Sequence, residues 1–371
     1  MRGMDGFMLF GFGPGRRKLV YSKGRLLDAF TLEPAFDLGR VRDSEIDSAA
    51  RVVRLDAPGG PAEAVVEDSS GVHVLLRGGG RETLTRGAPV NLPDFAGRPH
   101  AAALRRMHAD VLLCCMPFGP VPNPWVYPHP WYRDGAMAAL VLRETGNLHL
   151  LRDWALGLEK PYDRNNAGDA EPDNLGEALF LLSLFPPGEG GGAEHPLVRT
   201  ILREAGARRG ADGALRGRVD GRERAVYPTK WLKFGLRALG LDDSPWRIPA
   251  EPDNYSQLFW MDFRGEHLET PGFGAKDLEN WPYLNWAEAH FRGAPPPEDP
   301  DALAFSREAR ASESRCDRLR PLVEAGILPA ACAEARLATP HVWHAAEVFL
   351  HLLGGGAADG LGEDRDLRRG Q

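Results

Sequence analysis

Cysteine is scarce in this chain: four in 371 residues (Cys114, Cys115, Cys316 and Cys332), none of them in a C-x-x-C pair. That excludes a disulfide scaffold, and the adjacent Cys114 and Cys115 are poorly spaced for bridging each other or for zinc. Long apolar runs are also lacking; none reaches the ~18 residues a membrane-spanning helix needs. The first apolar stretch, in MRGMDGFMLFGFGPGRRK, is short and broken by glycine and proline, unlike a signal peptide. Basic excess is absent: 45 Lys+Arg stand against 52 Asp+Glu, a net charge of −7 that points to neither nucleic acid nor an anionic membrane. There is no P-loop, no G-x-S-x-G and no H-E-x-x-H; His341 and His344 stand one turn apart near Glu347 without that spacing. These absences lead to the expectation of a reduced, cytoplasmic protein without metal or cofactor.

What is present is ordinary globular composition, 43% apolar and 26% charged, over a length that suits one large domain or two. Residues 1–103 read as strands: KLVY (18–21), RVVRL (51–55), AEAVVED (62–68) and GVHVLL (71–76) are short, β-branched or alternating, and separated by turn residues. The glycine-rich GFGPG at 11–15 precedes a strand candidate, not a helix, so a turn is the expected reading and a phosphate loop is not. From about residue 104 the pattern becomes helical, with runs at 135–147, 148–158, 175–185, 195–208, 229–241, 255–263, 281–291, 302–319 and 341–353. The segment 354–371 is glycine-rich and polar, and is expected to be a flexible tail.

The tetrapeptide EPDN occurs twice, at 171–174 and 251–254, 80 residues apart. Two units of ~40 residues fit that offset, the length of a helical hairpin with loops, and 104–353 has room for about six. The expected fold is therefore a mainly α toroid of six helical hairpins over 104–353, preceded by the β-rich region 1–103. Each EPDN also suits a helix start. Pro172 and Pro252 fit a first turn, and Asn174 with Glu177, or Asn254 with Gln257, fits a capping box. Chemistry is the other reading. Asp173 and Glu177 share a helical face, and in a toroid Asp173, Glu177 and Asp253 would converge on one mouth. A helix N-terminus favours the ionised form, so Glu177 would need burial or a neighbouring carboxylate to act as an acid.

In PHPWYRDGAMAALVL (128–142), Asp134 is the expected N-cap of the next helix and Gly146 its stop. Arg133 has no such structural explanation. The proline-stiffened loop before it gathers Trp125, Tyr127, His129, Trp131 and Tyr132, planar groups suited to stacking on sugar faces, while an Arg–Asp pair suits vicinal hydroxyls. Half of these rings could equally plug the end of a toroid.

WYRDGAM resembles the segment that opens an inner helix in the six-hairpin glycosidases, the (α/α)6-barrel superfamily of glucoamylases, trehalases and glycogen-debranching enzymes. The resemblance implies sugar binding in the −1 subsite by Arg133 and Asp134. The D-x-L-G-E of Asp173 to Glu177 is similar to the Asp-Leu-Trp-Glu segment of glucoamylases, with one residue inserted and Gly176 in place of Trp; it implies that Glu177 is the general acid. TPHVWHAAEVFLHLL (339–353) resembles the last inner helix of that superfamily. PWYRD, NNAGDAEPDNLGE, YPTKWLKFGL and LFWMD together look like a bacterial group within it.

The expected function is hydrolysis of a glycosidic bond in an oligo- or polysaccharide, with inversion. That needs a base ~6.5–9.5 Å from the acid. Glu347 is the favoured base, with Glu288, Asp262, Glu279 and Glu334 as alternatives. Trp131, Arg133, Asp134, Asp173, Asp253, Tyr227, Lys230, Trp231 and His129 are the expected substrate-binding residues. Sugar epimerisation or β-elimination would instead lean on His129, His341 or His344, and a non-catalytic sugar-binding protein would need no base.

Overall fold

The structure is a computed structural model that describes residues 6–127, 129–164, 168–219, 221–251, 319–330 and 340–355, with Phe263, Glu266 and Glu334. No helix among the described residues is long and apolar enough to cross a membrane. The chain divides into two compact units. One comprises Met1–His129, Val141–Leu150 and Pro300–Phe349; the other comprises Pro130–Leu140, Leu151–Asp299 and Leu350–Gln371.

In the first unit, strands β1 (Phe7–Phe10), β2 (Leu19–Ser22), β3 (Arg25–Asp28) and β4 (Pro34–Phe36) form an antiparallel meander. A second, five-stranded meander is built from β5 (Asp43–Asp47), β6 (Val52–Asp56), β7 (Ala62–Glu67), β8 (Gly71–Leu76) and β9 (Gly80–Arg86). Alternation puts Phe10, Leu19, Tyr21 and Leu26 of the first sheet in one core with Val53, Val65, Val72 and Val74 of the second. The loop GFGPG joins β1 to β2, and the N–H groups of Gly11, Phe12 and Gly13 are taken, that of Gly13 by the Leu112 carbonyl at 3.0 Å. Gly11 and Phe12 donate to Glu67 Oε1 at 2.9 and 2.6 Å, and Arg16 and Arg51 close on the same carboxylate at 3.3 and 2.7 Å. Gly11, at φ +108°, has the backbone of Arg17 2.6 Å from where a Cβ would stand, so glycine is required there.

Helix α1 (Ala101–Cys114) buries Leu104, Met107, Val111 and Leu112, the face its periodicity predicts. Strands β10 (Cys115–Met116) and β11 (Gly119–Pro120) form a hairpin after it. The described part of the proline-rich loop turns back on Asn123, whose carbonyl accepts from the Tyr127 amide at 3.0 Å. The Asn123 side chain accepts from the Trp125 and Val126 amides, both at 2.8 Å, and donates to the Pro340 carbonyl at 2.6 Å.

Helix α2 (Tyr132–Glu144) ends at Gly146, φ +70°, the stop its sequence predicts. A 3₁₀ turn at Leu148–Leu151 precedes the short α3 (Arg152–Leu156). In the second unit, α4 (Asp173–Ser183) lies against α6 (Val226–Ala238), and α5 (Pro196–Ala207) and the hairpin β12 (Arg218–Val219) and β13 (Arg222–Glu223) come between them in the chain. The α4–α6 approach depends on two glycines. A Cβ on Gly176 would stand 2.1 Å from the Trp231 carbonyl carbon, and one on Gly235 would stand 2.4 Å from the Gly176 oxygen. Gly176, where the glucoamylase-like segment has tryptophan, is thus fixed by helix packing. Short α7 (Arg320–Glu324) and α8 (Val342–Gly355) complete the described elements.

The expectation of a mainly α toroid is overturned. Among the described residues the protein is a mixed α and β structure of eight helices and four antiparallel sheets. Strand pairs are not confined to the region before residue 104, since β10–β11 and β12–β13 fall inside the stretch expected to be all helical. The 148–158 run does not form one helix either. The run at 281–291 lies outside the described residues, as do those at 255–263 and 302–319 apart from their last residues, Phe263 and Leu319.

Candidate acid site

The site begins at the first turn of α2. The Tyr132 amide, which has no carbonyl partner inside the helix, donates to Asp163 Oδ2 at 2.5 Å. The cap thus comes from 31 residues away, and Asp134, expected as the N-cap, is the third residue of the helix. Tyr132 is held at its other end too: its hydroxyl donates to the Lys160 carbonyl at 2.8 Å, and its ring meets Trp154 edge-on at 6.3 Å. These contacts set the direction of the next side chain, Arg133.

Arg133 reaches the start of α4. Its Nε and Nη2 donate to Asp173 Oδ2 at 2.9 and 2.7 Å, Nη2 also donates to Glu171 Oε2 at 2.8 Å, and Nε lies 4.0 Å from Glu177 Oε1. The guanidinium sits over the Tyr227 ring, 5.8 Å from its centre. Glu171, Asp173 and Glu177 are all buried, the last two with no exposed surface. Three carboxyl groups therefore surround one guanidinium away from bulk solvent.

The capping box expected at EPDN is not formed. Pro172 occupies the N-cap position, no side chain caps α4, and Asn174 lies inside the first turn. Its amide Nδ2 donates instead to Glu177 Oε2 at 3.0 Å. Of the second EPDN only Glu251 is among the described residues. Glu251 is exposed, with Arg216 Nη1 3.9 Å away, and Asp253 lies outside the described residues.

Burial is the largest influence on Glu177 and pushes its carboxyl well above the ordinary range; the Asp173 charge pushes the same way, while Arg133 and the Asn174 hydrogen bond oppose it. Burial and the neighbouring charge thus favour the protonated form of Glu177, despite its place in the first turns of a helix. Burial likewise lifts Asp163 to about 7, and lifts the Tyr227 phenol well above its usual value. The cluster sets the carboxyl of Glu177, biased towards its protonated form, beside the arginine-bound Asp173.

The other expected site residues are distributed as follows. Tyr227, Lys230 and Trp231 are fully buried on α6; the Trp231 ring is 6.1 Å from Phe180, 5.8 Å from Phe234 and 6.4 Å from Tyr227. Asp134 is buried, Trp131 half-buried and His129 exposed. Glu347 is buried on α8 in the first unit, on the helix that carries His344. Asp262, Glu279 and Glu288 lie outside the described residues. Sequence reasoning missed Glu171 and Asp163. The first was in view as the opening letter of EPDN, whereas nothing local marks the second.

No protein-family model, curated protein or solved structure matches this chain. Among the described residues, no group of three or more His, Cys, Asp or Glu side chains is arranged to hold a metal ion.

Proposed function

We propose that the Arg133 cluster is the acid site of a glycoside hydrolase, in which Glu177 protonates the leaving-group oxygen of a glycosidic bond. The observation that carries this reading is Glu177 itself: it has no exposed surface, it stands within 4.0 Å of Arg133 and beside Asp173, and burial pushes its carboxyl well above the ordinary range. A buried carboxylic acid held on a rigid helix start is the form a general acid requires, and such a group contributes about 10²–10⁴-fold to rate. Arg133 and Asp173 shape the acid, and the half-buried Trp131 supplies a flat face a sugar would meet. A reducing, cytoplasmic setting accords with the two buried free thiols, Cys114 and Cys115.

The test is sugar release from a panel of α- and β-linked oligosaccharides, followed by NMR for the anomer first formed. Wild type is expected to release an inverted product, and folded Glu177→Gln is expected to lose at least a hundredfold in kcat on substrates with poor leaving groups. Equal rates in the two proteins would remove Glu177 from the chemistry. Glu347, expected from the sequence as the base, belongs to the other unit and enters the experiment as a separate variant, Glu347→Gln.

A second reading rests on His341, just before α8, and His344 in its first turn. The rings of His341 and His344 lie 4.6 Å apart, and burial keeps both neutral, His341 at about 4 and His344 well below its usual value. Neutral imidazoles suit proton removal from carbon, the step of epimerisation or β-elimination. Solvent deuterium appearing at a sugar carbon, without release of a sugar, would select that chemistry.

A further inference from the structure

A carboxylic acid can place its proton on either oxygen, but only one of the two can face a leaving group. In Glu177 the oxygens are not equivalent. Oε2 accepts the Asn174 amide at 3.0 Å. Oε1 has no hydrogen-bond partner among the described residues; the nearest arginine nitrogen, Arg133 Nε, is 4.0 Å away and donates to Asp173 at 2.9 Å. In a neutral carboxyl the carbonyl oxygen is the better acceptor, so an N–H aimed at Oε2 selects it as the carbonyl and leaves the hydroxyl on Oε1. Asn174 and Glu177 are three residues apart on one face of α4, and both are buried. Asn174 is also released from the role its sequence position suggested, because α4 is not capped by a side chain.

We propose that Asn174 is a positioning residue that keeps the transferable proton of Glu177 on Oε1, by donating its side-chain amide to Oε2. The inference deepens the general-acid reading and rests on it for its catalytic meaning, but the proton placement is measurable without any substrate.

The experiment is a pH titration of the full-length protein labelled with ¹³C at glutamate Cδ, the Glu177 signal being assigned by its loss in Glu177→Gln. An N–H donor favours the ionised carboxylate, so Asn174→Ala is expected to move the Glu177 midpoint up by about one pH unit or more. The basic limb of any hydrolysis profile should move with it, with kcat affected more than KM. An unmoved midpoint in a folded variant would reduce Asn174 to a structural role and overturn the proposal. A lowered midpoint would overturn it differently, by showing that the amide oxygen accepts from the Glu177 hydroxyl. If Asn174→Ala does not fold, the wild-type side-chain amide answers the same question. One Asn174 Nδ2 proton should shift downfield as Glu177 ionises, and a resonance indifferent to that ionisation refutes the donor geometry. Absence of hydrolysis with the midpoint moved as expected would sink the glycosidase reading and leave the proton assignment intact.

Discussion

Replacing Asp163 with asparagine gives a sharp test of the electrostatics around α2. The carboxyl is held at about 7 against an ordinary 3.8; burial is the main cause, the Tyr132 amide and Arg133 oppose it, and the charges of Asp173 and Glu171 add to it. A carboxyl raised in the folded state binds a proton there that the unfolded chain has already released. Its stabilising contribution is therefore complete below pH ~3.8 and is lost progressively as pH rises towards ~7. The window spans about three pH units at roughly 1.4 kcal/mol each, so the loss is on the order of 4 kcal/mol. Asparagine keeps an oxygen for the Tyr132 amide and never ionises. Urea unfolding of wild type and Asp163→Asn from pH 4 to pH 8.5 should give curves that nearly coincide at pH 4. They should then separate in favour of the variant by several kcal/mol, and run parallel above pH ~7.5. A constant offset across the range, or a wild type that gains on the variant as pH rises, would refute the reasoning.

Other expectations follow from the same geometry. Gly176→Ala places a methyl group 2.1 Å from the Trp231 backbone, so α4 and α6 must separate; a loss of about 1–3 kcal/mol or more is expected, read as a lower Tm and altered tryptophan fluorescence. Arg133→Met leaves Glu171 and Asp173 buried without their guanidinium and should cost about 3–5 kcal/mol at pH 7 in denaturant melts. Arg133→Lys keeps the charge without the fork and should fall between wild type and the methionine variant. Glu177→Gln should match wild type at low pH and exceed it in stability at pH 8, because the raised carboxyl favours the folded state only while it is protonated.

The elements that sequence reasoning found are those with enough residues to show a period. The runs behind α1, α4, α5 and α6 each bury an apolar face, and β7 and β8 carry β-branched residues. The two-residue strands β10, β11, β12 and β13 are too short to alternate, so they were invisible, and with them the mixed character of the region after residue 104. At the site, Arg133, Asp173 and Glu177 were legible because local structure did not explain Arg133 and a helical period linked the two carboxylates. The Asp163–Tyr132 cap was not legible, since its partners are 31 residues apart and no pattern in the chain pairs them. Asn174 was misread for a different reason: an Asn-x-x-Glu spacing fits a capping box and a side-chain pair equally well, and only the position of the first helical residue separates them.

The Glu67 carboxylate can be seen as a ligand that the chain carries for its own glycine loop. Tethered through β7, it sits against Gly11 and Phe12 at an effective concentration that a freely diffusing anion at millimolar levels cannot match. The two loop amides are thereby occupied by a group of the chain's own fold. Glu67→Ala would reverse that arrangement, leaving two amides and the two arginines Arg16 and Arg51 as an anion receptor with no occupant.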